Sequence, residues 1–124
     1  MAGNETYYYI PAERREFIRT WLKASDCSPA MGGYHVLYHV ISIAADHPEY
    51  SCQQLFEEYA FHVSGGKDIN WRTAYNLARY CFNNAVSSAR SLYAFIREAS
   101  IDLAEWEEEE RKEDTDYMLE RRGA

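Results

Sequence analysis

Apolar residues recur at every third or fourth position between residues 12 and 106, which is the period of amphipathic helices. Proline, glycine or serine interrupts this pattern near residues 25–32, 47–50 and 64–69. The inward stripes of the three central helices predict a core of Tyr34, Leu37, Ile41, Leu55, Phe56, Ala78 and Phe82. The pattern therefore predicts an all-α fold, a compact bundle of about five helices.

The third and fourth predicted helices both begin with capping signals. Ser51 is followed three residues later by Gln54, which is the spacing of a capping box. SerGlyGly at residues 64–66 supplies a turn, and Asn70 is a good N-cap for the next helix. This order has the layout of a helix-turn-helix, in which the second helix lies in the major groove of DNA.

The pattern changes after Trp106. Residues 107–124, EEEERKEDTDYMLERRGA, contain few apolar side chains and no capping signal. We therefore divide the chain into a helix-turn-helix-like domain at residues 1–106 and an acidic C-terminal extension at residues 107–124, which is either helical or disordered. The composition favours fraying beyond about residue 112.

The net charge of −7 is unevenly distributed along the chain. Residues 1–98 hold 9 Lys and Arg against 10 Asp and Glu, whereas residues 99–124 hold 4 against 10. Screening limits the reach of a distant charge to ~8 Å at physiological salt. The acidic tail therefore does not decide the charge of the surface around the fourth helix.

The sequence contains no signal for a membrane, for secretion or for catalysis. No apolar run approaches the ~20 residues that cross a bilayer, and the start lacks the basic and then apolar order of a secretion signal, so we expect a cytoplasmic protein. Cys27, Cys52 and Cys81 are odd in number and form no CxxC pair, which indicates reduced thiols. GlyGlyLys at residues 65–67 lacks the strand of a phosphate-binding loop. We expect no enzyme and no cofactor.

His35 and His39 stand four residues apart, a spacing that allows both imidazoles to reach one metal ion. A zinc site usually requires at least three protein ligands, and no third ligand is evident nearby. The interpretation that we prefer is two partly exposed helical histidines.

The fourth predicted helix carries the polar groups that read DNA. Arginine recognises guanine, and asparagine recognises adenine, through paired hydrogen bonds in the major groove. A lysine in the preceding turn can meet a phosphate. The candidate nucleic-acid-binding residues are Lys67, Asn70, Arg72, Thr73, Asn76 and Arg79.

A family resemblance rests on two segments, GYHVLYHVI at residues 33–41 and NLARYCFNNAV at residues 76–86. The first is similar to a Gly-Tyr-x-x-Leu-x-x-Ala-Ile stretch, and the second to a recognition-helix segment, Arg-Ala-Ile-Arg-His-Ala-Ile, with Arg79 on its second arginine. Both family segments come from the C-terminal DNA-binding effector domain of the master sporulation response regulator of spore-forming bacteria. The resemblance covers roughly residues 17–99 and implies an all-helical transcription factor.

The chain departs from that family in its recognition residues. Asn76 replaces the first arginine, Tyr75 replaces the glutamate before it, and Tyr80 replaces the histidine after the second arginine. The receiver domain of the full regulator is also missing from these 124 residues. The resemblance therefore implies the same fold with a different preference for DNA sequence.

Two functions remain open from the sequence. The first is a DNA-binding transcriptional regulator, which binds weakly as a monomer because its near-neutral body neutralises few phosphates, and more tightly as a homodimer on paired half-sites. The second is an acidic protein-interaction module or inhibitor, such as one from a mobile element. It would block a nucleic-acid-binding partner with its acidic tail and with the aromatic residues at positions 7–9 and 106. The alternative interpretation of these aromatic residues is that they pack at the edge of the core.

Overall fold

The structure, a computed structural model, describes residues 9–63 and 70–123, with side chains through residue 61 in the first range and residue 114 in the second. These residues form five α-helices and one π-helical turn: α1 (Ala12–Ala24), α2 (Tyr34–Asp46), α3 (Cys52–Glu58), the π-turn (Tyr59–Val63), α4 (Trp71–Asn83) and α5 (Leu92–Gly123). They contain no strand, which confirms the predicted all-α bundle. The helix breaks expected near residues 25–32 and 47–50 are present, and the one at 64–69 lies outside the described residues.

The helix α2 is the centre of the bundle and contacts all four other helices. It is apolar around most of its circumference, as expected for a helix enclosed by others. Its buried residues are Val36, Leu37, Tyr38, Val40, Ile41, Ser42, Ile43 and Ala44.

The predicted core is confirmed at five of its seven positions. Leu37, Ile41, Leu55, Phe56 and Ala78 are at most 1% exposed.

The other two, Tyr34 and Phe82, are partly buried and pack against this core. Tyr34 is the first residue of α2, and Phe82 is the last residue but one of α4. Neighbouring helices cover only one side of a ring at such a terminal position. Phe82 still packs on Phe95 of α5, with 5.3 Å between the ring centroids.

The end of α1 is closed by a Schellman motif. The amide of Cys27 donates to the carbonyl of Leu22 (2.9 Å), and the amide of Asp26 donates to the carbonyl of Lys23 (3.0 Å). Asp26 takes the left-handed conformation that this motif requires, with φ of 61°. The carbonyl of Ser25 accepts from the amide of Val86 (2.9 Å), so the end of α1 is joined to the segment after α4.

The helix α5 continues to Gly123, so the fraying expected beyond about residue 112 was wrong. Glutamate, lysine and arginine are good helix formers. Glu108 and Lys112 also stand at the i, i+4 spacing that stabilises a helix. No described helix has a stretch apolar enough to cross a membrane.

The helix α5 is bound to α1 and α2 at residue 107, where the sequence predicts the start of the acidic extension. The guanidinium of Arg14 in α1 donates to both carboxylate oxygens of Glu107, at 2.8 and 2.7 Å. The same guanidinium reaches the end of α2, where it lies 3.0 Å from the Asp46 carboxylate and 3.0 Å from the hydroxyl of Ser42. Charge-assisted hydrogen bonds of this kind are the strong ones, so this contact joins three helices.

Candidate nucleic-acid interface

The helix α4 begins at a side-chain cap. Asn70 has an extended backbone, and its Oδ1 accepts from the amide of Thr73 (2.9 Å) and from the hydroxyl of Thr73 (3.3 Å). The cap satisfies a backbone donor that the first turn leaves without a partner. The structure thus uses Asn70 and Thr73, both candidate nucleic-acid-binding residues, to start the helix, although both remain exposed.

The inner face of α4 is fixed by close packing on α2 and α3. Ala74, Ala78 and Cys81 are fully buried. A Cβ atom on Gly33, just before α2, would lie 1.8 Å from the carbonyl oxygen of Leu77, so the α4 backbone passes directly over this glycine. The packing leaves the opposite face of α4 in solvent.

The opposite face carries four polar side chains in one line, which we call the α4 stripe. They recur at spacings of four, three and four residues and are all exposed: Arg72, Asn76, Arg79 and Asn83. This spacing keeps side chains on one side of a helix. The sequence prediction included the first three and missed Asn83, which extending the same spacing by one step would have found.

The two arginines of the α4 stripe are available to a ligand. The guanidinium of Arg72 lies 5.6 Å from the ring centroid of Trp71, a cation–π contact that orients it at the start of the helix. Within residues 9–61 and 70–114, no carboxylate forms an ion pair with Arg72 or Arg79. Their positive charge is therefore not neutralised by a described neighbour.

The charged side chains of the helix α3 are acidic. Glu57 is exposed and accepts from the side-chain amide of Gln53 at 3.1 Å, and residues 51–63 contain no lysine or arginine. The first helix of a helix-turn-helix crosses the phosphate backbone, where such a carboxylate weakens binding. Lys67, predicted to contact phosphate from the turn, lies outside the described residues.

His35 and His39 are partly exposed and contact Tyr59. The Nδ1 atom of His35 lies 3.0 Å from the Tyr59 hydroxyl, and the Nδ1 atom of His39 lies 3.0 Å from the His35 carbonyl oxygen. Burial lowers the pKa of His35 and lowers the pKa of His39 to about 4. Both rings are therefore neutral at pH 7 and add no positive charge to the surface.

The aromatic candidates for a protein interface have different positions. Trp106 stacks on Phe17 of α1, with 5.1 Å between the centroids, and is half-buried at the edge of the core. Tyr9 is 77% exposed, and Tyr7 and Tyr8 lie outside the described residues. Tyr80, beside the α4 stripe, is 62% exposed. Of these three described side chains, Tyr9 and Tyr80 are therefore exposed, and Trp106 is not.

The α4 stripe presents guanidinium and carboxamide groups on one exposed face. Guanidinium groups donate paired hydrogen bonds to guanine, and carboxamides both donate to and accept from adenine. Comparisons of the chain with protein-family models, with curated proteins and with solved structures found no match.

Proposed function

We propose that this chain is a DNA-binding transcriptional regulator that inserts α4 into the major groove. The observation that carries the proposal is the α4 stripe, in which two arginines without described acidic partners alternate with two asparagines on one exposed face. In this role Arg72 and Arg79 bind guanine, and Asn76 and Asn83 bind adenine or orient the arginines.

The dimensions of the α4 stripe fit a short DNA site. Arg72 and Arg79 are seven residues apart, which is about 10 Å along the helix axis. Successive base pairs are about 3.4 Å apart along each strand, so the two guanidinium groups reach bases about three positions apart. Asn83 extends the contact by one further helical turn.

The proposed helix-turn-helix consists of α3, the connecting residues 64–69 with Lys67, and α4. The resemblance to the sporulation effector domain supports it, and the structure gives a physical reason for a glycine in the resembling GlyTyr segment. Gly33 is the place where the α4 backbone crosses the start of α2. Asn76 and Tyr80, which replace an arginine and a histidine of the family, give the proposed regulator its own sequence preference.

Binding of one copy to DNA is weak in this proposal. The charge of residues 1–98 is close to zero, and Glu57 faces solvent on α3. Few phosphates are then neutralised. The number of neutralised phosphates sets how steeply the affinity falls as the salt concentration rises. A homodimer on two half-sites about one helical turn apart would supply the missing affinity.

The test is a fluorescence-anisotropy titration at two salt concentrations, with a DNA duplex first selected by the protein from a random pool. Arg79→Ala should weaken binding by about five- to a hundredfold, since a bidentate contact to guanine contributes ~1–3 kcal/mol. Arg90→Ala is the matched control, because Arg90 is an exposed arginine in the segment between α4 and α5. Equal affinities for wild type, Arg79→Ala and Arg90→Ala would contradict the proposal.

The acidic interaction module is the second candidate, and one observation favours it. The helix α5 continues for 16 residues beyond Glu107, to Gly123, which is about 24 Å of helix. Its exposed side chains include Glu108, Glu109, Glu110 and Glu113. A helical row of carboxylates can bind the basic channel of a nucleic-acid-binding protein. Failure to select any DNA, together with capture of such a partner, would favour this function.

A further inference from the structure

Three sulfur atoms, two from the loop after α1 and one from α4, meet beside the start of α2. The thiol of Cys81 in α4 donates to the Sδ atom of Met31, at 3.6 Å. The thiol of Cys27 lies close enough to that of Cys81 for each to influence the pKa of the other. We call these three residues the sulfur triad. Cys52, the remaining cysteine, lies on α3, which follows α2 in the sequence, and has none of these contacts.

The fold holds each member of the sulfur triad in place. Cys27 is the residue that completes the Schellman motif at the end of α1, and it is 3% exposed. Cys81 is fully buried on the inner face of α4. The backbone of Met31 accepts from the amide of Tyr34 (3.1 Å) and donates to the carbonyl of Ser28 (2.9 Å). The three donors are therefore positioned before any ligand arrives.

A route from solvent reaches the sulfur triad. Cys27 lines a cavity of about 690 Å³ between α1 and the loop that follows it. Arg19, Lys23, Ser28 and Tyr34 also line this cavity. A small ion can therefore approach the thiol of Cys27 without unfolding of the core.

We propose that Cys27, Met31 and Cys81 form a binding site for a soft monovalent metal ion, namely Cu(I). Thiolate and thioether sulfur are the ligands that select Cu(I) over harder ions. Metal–thiolate bonds are about 2.3 Å long, so three sulfurs around one ion lie about 4 Å from one another. The Cys81–Met31 separation of 3.6 Å is close to that value.

Zinc does not fit the sulfur triad. It prefers four ligands drawn from thiolate, imidazole and carboxylate, whereas this site offers two thiols and a thioether. No group of three His, Cys, Asp or Glu side chains suited to a metal occurs among the described residues. The third donor here is a methionine, and that restricts the site to soft ions.

Metal binding at this site is an exchange of protons for the ion, without oxidation. Burial raises the pKa of Cys27 to about 12 and also raises the pKa of Cys81, so both side chains are thiols at pH 7. Each thiol that binds Cu(I) releases its proton to solvent, and a sulfur–metal bond replaces the S–H bond. Affinity therefore increases with pH. The protonated thiols are also poor nucleophiles, which disfavours formation of a disulfide.

The test uses Ag(I), a soft monovalent ion that does not oxidise further, titrated anaerobically into the full chain. Cys52→Ser should bind one equivalent and show the same rise in thermal midpoint as the wild type, because binding to the folded state stabilises it. Met31→Leu, a change that conserves volume, should weaken binding by about tenfold or more. Cys27→Ser should do the same, and Zn(II) should leave the midpoint unchanged.

Three results would overturn the site. An unchanged Ag(I) affinity in Met31→Leu would show that the thioether does not bind the ion. Loss of the bound equivalent in Cys52→Ser would place the ion on α3. A rise in thermal midpoint with Zn(II) as large as that with Ag(I) would show that the site does not select soft ions.

Discussion

The two ends of α2 are held by different physical forces. At its start, the backbone of α4 passes over Gly33 so closely that no side chain fits between them. At its end, Ser42 and Asp46 are joined to α1 and α5 through the guanidinium of Arg14. The first contact is steric and apolar, whereas the second is polar and reaches the protein surface.

This difference separates the two candidate functional surfaces. The α4 stripe is positioned by packing, which tolerates no added volume but is indifferent to salt. The acidic end of α5 is positioned by partly exposed charges, which tolerate changes in volume but weaken as salt rises. We therefore expect the contact around Gly33 to be the more sensitive to substitution.

The largest effect should come from Gly33→Ala. The added Cβ would lie 1.8 Å from the carbonyl oxygen of Leu77, a backbone atom that cannot rotate away. We expect a loss of about 3 kcal/mol or more in the free energy of unfolding, measured by urea denaturation. Gly32→Ala is the matched control, since its Cβ would meet only the Leu77 side chain, at 3.9 Å. A Gly33→Ala protein as stable as Gly32→Ala would contradict the steric account.

Arg14→Ala should have the next largest effect, at the other end of α2. It removes hydrogen bonds to Glu107 and Ser42 and leaves Asp46 and Glu107 without their cation. We expect a loss of about 2 kcal/mol, and Arg15→Ala, an exposed neighbour, should cost less than about 0.5 kcal/mol.

Salt distinguishes the two ends of α2. The cost of Arg14→Ala should shrink in 1 M NaCl, where the Debye length is about 3 Å. The cost of Gly33→Ala should stay the same. If both costs respond equally to salt, the contrast between a steric contact and an electrostatic one is wrong.

The helices and most of the core could be predicted because they depend on local spacing. Leu37 and Ile41 follow the helical period, and the Ser51 cap is a four-residue signal. The Arg14–Glu107 contact joins residues 93 positions apart, and no local pattern in the sequence reports it.

The two candidate sites differ in the same way. The α4 stripe lies within one helix, so its spacing was visible in the sequence except for the last member, Asn83. The sulfur triad depends on how the loop after α1 folds over α4, and Cys81 and Met31 are 50 residues apart. Counting cysteines found no CxxC pair and could not find a site whose third ligand is methionine.

Lowering the pH should reduce the free energy of unfolding through His39, in the middle of α2, by less than the Gly33 and Arg14 substitutions do. The pKa of His39 is about 4 in the folded protein because the ring is buried, whereas the unfolded chain has the ordinary value near 6.5. The unfolded state therefore binds more protons between pH 6.5 and 4, and stability is lost as pH falls through that window. Allowing for the solvent contact of a half-buried ring, we expect about 1 kcal/mol between pH 7 and pH 5.

The variant His39→Gln isolates this effect from other titrating groups. Asp46 also titrates in acid, with a pKa that burial and the Glu107 carboxylate raise despite the adjacent Arg14, but it is present in both proteins. Urea denaturation at pH 7 and pH 5 should show a smaller loss in His39→Gln than in wild type. An equal loss would mean that His39 is protonated in the folded state as easily as in the unfolded one.

The smallest effect concerns the charge of the α5 extension and separates the two proposed functions. Replacing Glu108, Glu109, Glu110 and Glu113 by glutamine keeps the helix and the Arg14–Glu107 contact. If α4 binds DNA, removing four negative charges should tighten binding by about two- to fivefold, and more at low salt. If the carboxylates themselves bind a basic partner, the same variant should weaken that complex.

The control for this variant replaces the same four residues by aspartate, which preserves the charge. DNA affinity that rises in the glutamine variant and not in the aspartate variant would show that charge, rather than side-chain length, opposes binding. Loss of a partner complex in the glutamine variant alone would favour the interaction module. Unchanged affinity for both kinds of ligand would leave the extension as a solubilising helix, and the Arg14 anchor would then serve stability only.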